Sequence, residues 1–320
     1  MKYCEHVAHT ISFNKKDILP CCTTIREIPP TYFNPKLESS DIVSSIDIGK
    51  KQEETFKMLN SQEINKRPCV NCIFCKEVAE MPKDDYKINA IFLRQWIKDD
   101  NADKNFSDSI TYDPYDLIKQ MYETDKIDTQ NLIVKIQSTN MEEVVDIDKY
   151  LDLFIRKGVK EIHISSNIII FNKKVANLID SNKATINTSL DAGTPETYKK
   201  IKGDDSFNKI IESLKNYQKY LISSKYGICI HYVLFKDLND NKKELNNFIQ
   251  LMKELDINCI GIRINQKELI DILENKNENT KLNDYRSLIT YFYEKAIKNS
   301  FNIDKDSCIE QNFLFEKKDK

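Results

Sequence analysis

From about residue 87 onward, short apolar runs alternate with amphipathic stretches, and the alternation predicts strands and helices in turn. The runs are INAIFL (88–93), NLIVKIQ (131–137), KEIHISSNIII (160–170), ATINTSL (184–190), GICIHYVLF (227–235) and NCIGIRI (258–264). Each is rich in Val and Ile and apolar on both faces, as strands of a covered parallel sheet are. Between them, YDLIKQMYE (115–123), VVDIDKYLDLFIRKG (144–158), KKVANLIDS (173–181), SFNKIIESLKNYQKYLIS (206–223) and KELNNFIQLMKELD (243–256) carry a helical period. A further helix, DYRSLITYFYEKAIKN (284–299), follows the last strand. Punctuation agrees with this reading. Gly158 follows Arg156-Lys157 as a helix-ending signal, and Thr194-Pro195 opens a short helical turn with Thr as cap and Pro at the first helical position.

Residues 1–86 read differently. Their apolar positions are scattered, prolines stand at 20, 29, 30, 35 and 68, and only DIGKKQEETFKMLNSQ (47–62) suggests a polar helix. The expected organisation is a cysteine-rich segment over 1–86, an α/β domain over 87–300 and a tail over 301–320. Strand–helix units with right-handed crossovers build either an open doubly wound sheet or a partial barrel, and periodicity does not choose between them. With only six glycines, and no G-x-G-x-x-G or P-loop pattern, the usual phosphate-cradling loops are excluded.

Charge narrows the function classes. Lys+Arg 48 against Asp+Glu 50, interspersed, leaves a net charge of −2 and no electrostatic footprint for nucleic acid. No apolar run approaches the roughly 18 residues of a membrane span. The start, MKYCEHVAHTISFNKK, lacks the apolar region of a secretory signal, so a cytoplasmic location is expected. In a reducing compartment, crowded cysteines read as metal-binding or catalytic rather than as disulfides.

They are crowded here. Six of the nine cysteines, Cys4, Cys21, Cys22, Cys69, Cys72 and Cys75, lie in the first 75 residues, and the last three form the doubled C-x2-C of CVNCIFC. That spacing brings several thiolates within reach of one metal centre, either an iron–sulfur cluster or zinc, which would order a segment lacking a core of its own. His6 and His9 could complete a zinc site. Cys229 and Cys259 lie inside predicted strands and read as buried apolar cysteines. Asp99, Asp100, Asp103 and Asp108 read as a solvated loop.

The segment TSLDAGTPETYKKIKGDDSFNKIIESLKNYQKY (188–220) resembles the fourth strand and following helix of the radical S-adenosylmethionine superfamily, in members related to the SPASM group. KGVKEIHISSNIIIF (157–171) resembles that family's third strand, and GICIHYVLFKDLNDN (227–241) its fifth. A Cys near the start, a Cys-Cys after a short hairpin and a C-x2-C before the barrel also match. The resemblance implies a partial (β/α)6 TIM-like barrel preceded by a cysteine-rich metal-cluster domain. It favours an auxiliary [4Fe-4S] cluster over structural zinc. The implied ligands are Cys4, one of Cys21 and Cys22, Cys69 and Cys72, with Cys75 competing. It further implies that Ser189 and Asp191, at the end of the fourth strand, and with them Asn167 and His231, stand where relatives bind the cofactor; the alternative for Ser189 and Asp191 is a self-sufficient strand-to-helix turn, and for His231 a satisfied core histidine.

Two departures are as informative. The family's CxxxCxxC follows the first strand and holds the cluster that cleaves the cofactor, but IKDDNADKNFSDSITYDPYD (97–116) contains no cysteine. The family's Gly-Gly-Glu-Pro, which grips the cofactor's amino group, is replaced by Ser138-Thr139-Asn140-Met141. Asp and Asn are hard ligands poorly suited to an iron–sulfur cluster. The expectation is a degenerate member that keeps an auxiliary cluster, binds S-adenosylmethionine weakly if at all, and acts as a binding or partner subunit for a peptide or a catalytic homologue. The alternatives are an active radical S-adenosylmethionine-type enzyme with an atypical site, and a zinc-stabilised scaffold.

Overall fold

The computed structural model describes residues 2–4, 9–14, 18–19, 46–59, 75–77, 87–94, 114–137, 147–221, 227–265, 267–269, 272 and 279–304. Two compact units divide at His163/Ile164.

In the first unit, β1 (Lys2–Cys4) pairs antiparallel with β4 (Cys75–Glu77), placing Lys2 opposite Glu77 and Cys4 opposite Cys75. A separate sheet holds β2 (Thr10–Asn14), antiparallel to β3 (Ile18–Leu19) and parallel to β5 (Ala90–Arg94), which is in turn parallel to β6 (Ile133–Gln137). Residues 10–14 escaped the strand reading because TISFN is short and its partner lies far along the chain. Its Ile11 and Phe13 are nonetheless buried. The helices are α1 (Ile48–Leu59), α2 (Tyr115–Glu123) and α3 (Ile147–Arg156). The predicted stripes of α2 and α3 are the buried ones: Leu117, Ile118 and Met121 on one, Tyr150, Leu151, Leu153 and Phe154 on the other. Side chains of this size each contribute roughly 1.5–3 kcal/mol on burial. The rings of Tyr115 and Tyr150 meet edge to face at 5.6 Å.

β7 (Glu161–Ser165) crosses the division. The second unit continues with α4 (Lys173–Asp180), β8 (Ala184–Ser189), α5 (Pro195–Lys202), α6 (Phe207–Gln218), β9 (Ile228–Leu234), α7 (Lys242–Glu254), β10 (Cys259–Ile264), α8 (Asn279–Lys298) and β11 (Asn302–Ile303). β8, β9, β10 and β11 run parallel, each beside the next. Strand alternation decides what each face of β9 does. Tyr232 packs on Phe248 of α7, ring centroids 4.9 Å apart, and Phe248 lies 6.4 Å from Phe292 of α8. Ile230 and Leu234 share that helix-covered face by period, so Cys229, His231 and Val233 belong to the other one.

Parallel strands joined by crossover helices give the predicted α/β fold of the partial (β/α)6 TIM-like type, with each of the six predicted strands in place within a few residues. The punctuation holds too. Gly158 and Gly203 adopt φ of +75° just past their helices, and Thr194 caps α5 through a bond accepted from Thr197 N at 3.3 Å. Among the described residues no helix is long and apolar enough to cross a membrane.

Candidate functional site

Two groups of polar side chains lie on β8, β9 and their neighbours, one past the carboxyl end of β8 and one along the first half of β9. The first is built by S-L-D-A-G-T-P. Asp191 is 1% exposed and sits at φ +60°, a left-handed conformation that aspartate tolerates better than most residues. Its Oδ1 accepts from the Val233 backbone N–H at 2.9 Å and from Ser189 Oγ at 3.0 Å, and its Oδ2 takes an ion pair from Lys202. Asn239 extends the network: its amide donates to the Asp191 carbonyl and to the Val233 carbonyl, both at 2.7 Å, and its Oδ1 accepts from Phe235 N at 2.7 Å. Asp191 thus ties the end of β8 to β9 and to the last turn of α5. Every polar atom of its carboxylate is engaged inside the protein.

Gly193 shows why the motif carries a glycine. A Cβ there would lie 2.4 Å from the backbone nitrogen of Phe248 and 2.5 Å from Asn247 Cβ, so α7 can approach only a residue without a side chain. Glu244 of α7 seals the contact. It accepts from Gly193 N at 3.1 Å, Thr194 Oγ1 at 3.3 Å and Asn247 Nδ2 at 3.2 Å. The segment is a docked turn.

The second group is differently made. His231 is 3% exposed, and its Nδ1 is buried without a hydrogen-bond partner among the described residues. Its Nε2 stands 3.4 Å from Asp304 Oδ2, longer than the roughly 2.9 Å of a good hydrogen bond. Burial first, then the Arg263 guanidinium, pulls His231 down to about 4, outweighing Asp304 and Asp191. At neutral pH this contact is therefore a neutral imidazole beside a carboxylate rather than an ion pair. Cys229, two residues earlier, faces Cys259 of β10 in register. The Cys229 S–H donates to Cys259; this bond and burial push the Cys229 thiol up, while the same bond pulls Cys259 down against the opposing effect of burial. Ligating atoms of Cys229, His231 and Asp304 all lie within 4.8 Å of one another.

The register explains the meeting. His231 is level with Gly261 on β10, and Asp304, whose N–H donates to Ile260 O at 3.0 Å, follows β11 on the far side of that same glycine. Gly261 has no side chain, so imidazole and carboxylate can approach across it.

Of the residues predicted to line a cofactor, Ser189 and His231 are level with each other on β8 and β9, Asp191 lies just beyond β8, and Asn167 is half-buried just after β7. Of the predicted metal cysteines, Cys4 and Cys75 are register partners in β1 and β4. Cys21, Cys22, Cys69 and Cys72, the loop 95–113 and Ser138–Met141 lie outside the described residues. Sequence reading treated Cys229 and Cys259 as apolar filler and gave Asp304 no role. The C-x-H of GICIHYV was the available signal, because an i, i+2 pair on a strand shares a face. The level of Asp304 on β11 had no signal in the sequence.

The family model for the Radical SAM superfamily matches residues 70–252. No curated protein matches the sequence. Among solved structures, that of SuiB from Streptococcus suis is 16% identical, with 59% of this chain and 41% of that chain covered at a TM-score of 0.42. SuiB bound to S-adenosylmethionine gives 13% identity, 82% and 62% coverage and a TM-score of 0.45. Native anSMEcpe with bound AdoMet gives 18% identity, 57% and 53% coverage and a TM-score of 0.42. The chain spans about half the length, or less, of the first structures it resembles.

Proposed function

The chain belongs to the radical SAM superfamily, and we propose that it is a degenerate member: an iron–sulfur protein that binds a partner rather than cleaving S-adenosylmethionine. Membership implies a fold suited to an iron–sulfur cluster and S-adenosylmethionine, and the residues present fit these two groups unequally. After β5 the chain runs to residue 228 without a cysteine, so the thiolates for a cofactor-cleaving cluster are missing from that position. Asp191, in the family-like segment, is buried and already engaged by Val233, Ser189 and Lys202, which supports a structural role for its carboxylate. No cleavage step is derived for this protein.

An auxiliary cluster fits better. The single observation that carries it is the register of β1 and β4, which sets Cys4 opposite Cys75 although 70 residues separate them in the chain. The two remaining thiolates of a four-cysteine set would come from among Cys69, Cys72 and one of Cys21 and Cys22. When bound, the cluster would supply a cross-link and an electron-transfer centre. The partner in this reading is a peptide or a catalytic homologue.

Anaerobically purified or reconstituted protein should be brown and carry about four irons per chain for a [4Fe-4S] cluster. Cys69→Ala and Cys72→Ala should bleach it, while Cys229→Ala and Cys259→Ala should not. With a strong one-electron reductant, no 5′-deoxyadenosine should form. Cleavage above a cluster-free control would overturn the reading in favour of an active enzyme. Zinc that disappears with Cys69→Ala, without sulfide, would replace the cluster by a structural ion.

A further inference from the structure

We propose that Cys229, His231 and Asp304 form a second, separate metal site, for one zinc-class divalent ion held by three protein ligands. It stands apart from the N-terminal thiols and does not depend on the iron–sulfur reading.

Strand geometry assembles it. Cys229 and His231 share one face of β9, and Asp304 is brought level with them across the gap at Gly261. The 3.4 Å between His231 Nε2 and Asp304 Oδ2 is awkward for a hydrogen bond. It matches the roughly 3.3 Å edge of a tetrahedron whose metal–ligand bonds are about 2.0 Å. The His231 ring is 3% exposed, and its Nδ1 has no hydrogen-bond partner among the described residues. Nε2, the nitrogen beside Asp304, is the ligand.

Donor chemistry selects the ion. One thiolate, one imidazole and one carboxylate suit borderline metals such as zinc and cobalt, not the all-oxygen preference of magnesium or calcium. Thiolate and carboxylate together carry two negative charges, which cancel those of a divalent ion in a buried setting. Cys259 hydrogen-bonds Cys229 but falls outside the group whose ligating atoms all lie within 4.8 Å of one another. Its role is to support the ligating sulfur, as groups behind a metal ligand do. Three protein ligands leave the fourth position open to an outside ligand, the arrangement of reactive rather than purely structural zinc sites.

The test uses the full chain with Cys4, Cys21, Cys22, Cys69, Cys72 and Cys75 all replaced by serine, stripped of metal and titrated with Co2+. One equivalent should produce the intense visible bands of tetrahedral cobalt and a thiolate-to-cobalt charge-transfer band. C229S should abolish the charge-transfer band, and H231Q and D304N should each weaken binding at least about tenfold. C259S should keep the stoichiometry and the tetrahedral spectrum. Weak octahedral spectra, or spectra unmoved by C229S and H231Q, would overturn the proposal. Should the six-serine chain not fold, total bound zinc in the otherwise native chain decides: H231Q must lower it by one equivalent without lowering iron. An unchanged zinc content overturns the site equally.

Discussion

Asp191 and His231 make a controlled pair. Asp191 lies just past the end of β8 and His231 in the middle of the adjacent β9, and they are almost equally buried, at 1% and 3% exposure. Asp191 belongs to the segment that most resembles a known family, and its carboxylate is fully engaged. His231 belongs to a strand read mainly as core, and its Nδ1 has no hydrogen-bond partner among the described residues. Burying a polar atom without a partner costs on the order of 1–3 kcal/mol, so the histidine is the costlier residue to keep. The recognisable motif marks how the turn is built, whereas the unrecognised strand carries the unspent chemistry.

If that contrast is right, the largest effect comes from removing the engaged member. Asp191→Ala deletes the acceptor for Lys202, Val233 N and Ser189 Oγ and places a Cβ-branch-free but non-glycine residue at φ +60°. Breaking a buried pair from one side costs roughly 3–5 kcal/mol. Urea denaturation should show a loss of that size, with cobalt binding per folded chain unchanged. A loss below about 1 kcal/mol would place Asp191 outside the structural role and return it to ligand binding.

The next effect concerns His231 and pH. Its pKa in the folded protein, about 4, lies below the ordinary 6.5, so between these values the unfolded chain binds more protons. Stability from the neutral ring is therefore complete above about 6.5 and lost as pH falls towards 4. A shift of this size corresponds to about 3 kcal/mol. Arg263 acts with burial to hold the ring neutral, while Asp304 and Asp191 oppose it. In chelator-containing buffer, the stability of wild type relative to His231→Gln should fall by about that amount from pH 7.5 to 4. A flat difference would mean that the ring is hydrated or already charged.

What the sequence made legible follows the same division. Strand and helix identity was readable because period-2 and period-3.6 patterns are local, and so were the signals at Gly158 and Thr194. The pairing of TISFN with β5 was not readable, because β2 and β5 are joined only by a distant, parallel register. A candidate site can be named from sequence where its residues are sequential, as in the thiol run Cys69, Cys72 and Cys75. It was hidden where three strands must be aligned before Cys229, His231 and Asp304 become neighbours. Asp191 was nameable but ambiguous, since the same residue serves a turn or a ligand until its hydrogen-bond partners are known.

A smaller effect tests the docking of the turn. Gly193→Ala must push against the Phe248 backbone nitrogen at 2.4 Å, which cannot swing aside as a side-chain tip could. Overpacking of this kind costs roughly 1–3 kcal/mol, read as a lower urea midpoint with an unchanged slope. A neutral result would show that α7 can slide relative to the turn.

The smallest effect separates capping from docking within one residue. Thr194 Oγ1 accepts from Thr197 N at 3.3 Å as the cap of α5 and also reaches Glu244 Oε1 at 3.3 Å on α7. Thr194→Ala removes both contacts, but Glu244 keeps Gly193 N and Asn247 Nδ2 as donors. No buried carboxylate is stranded, and the loss should stay near the ~1 kcal/mol of an ordinary N-cap. Thr194→Ser retains the hydroxyl and should lie within a few tenths of a kcal/mol of wild type. In the Glu244→Ala background, which removes the acceptor on α7, the Thr194→Ala loss should be almost unchanged if capping dominates, because the cap bond does not involve Glu244. A loss that shrinks by more than half in that background would show that the hydroxyl works mainly through α7, making the turn a docking element first and a helix start second.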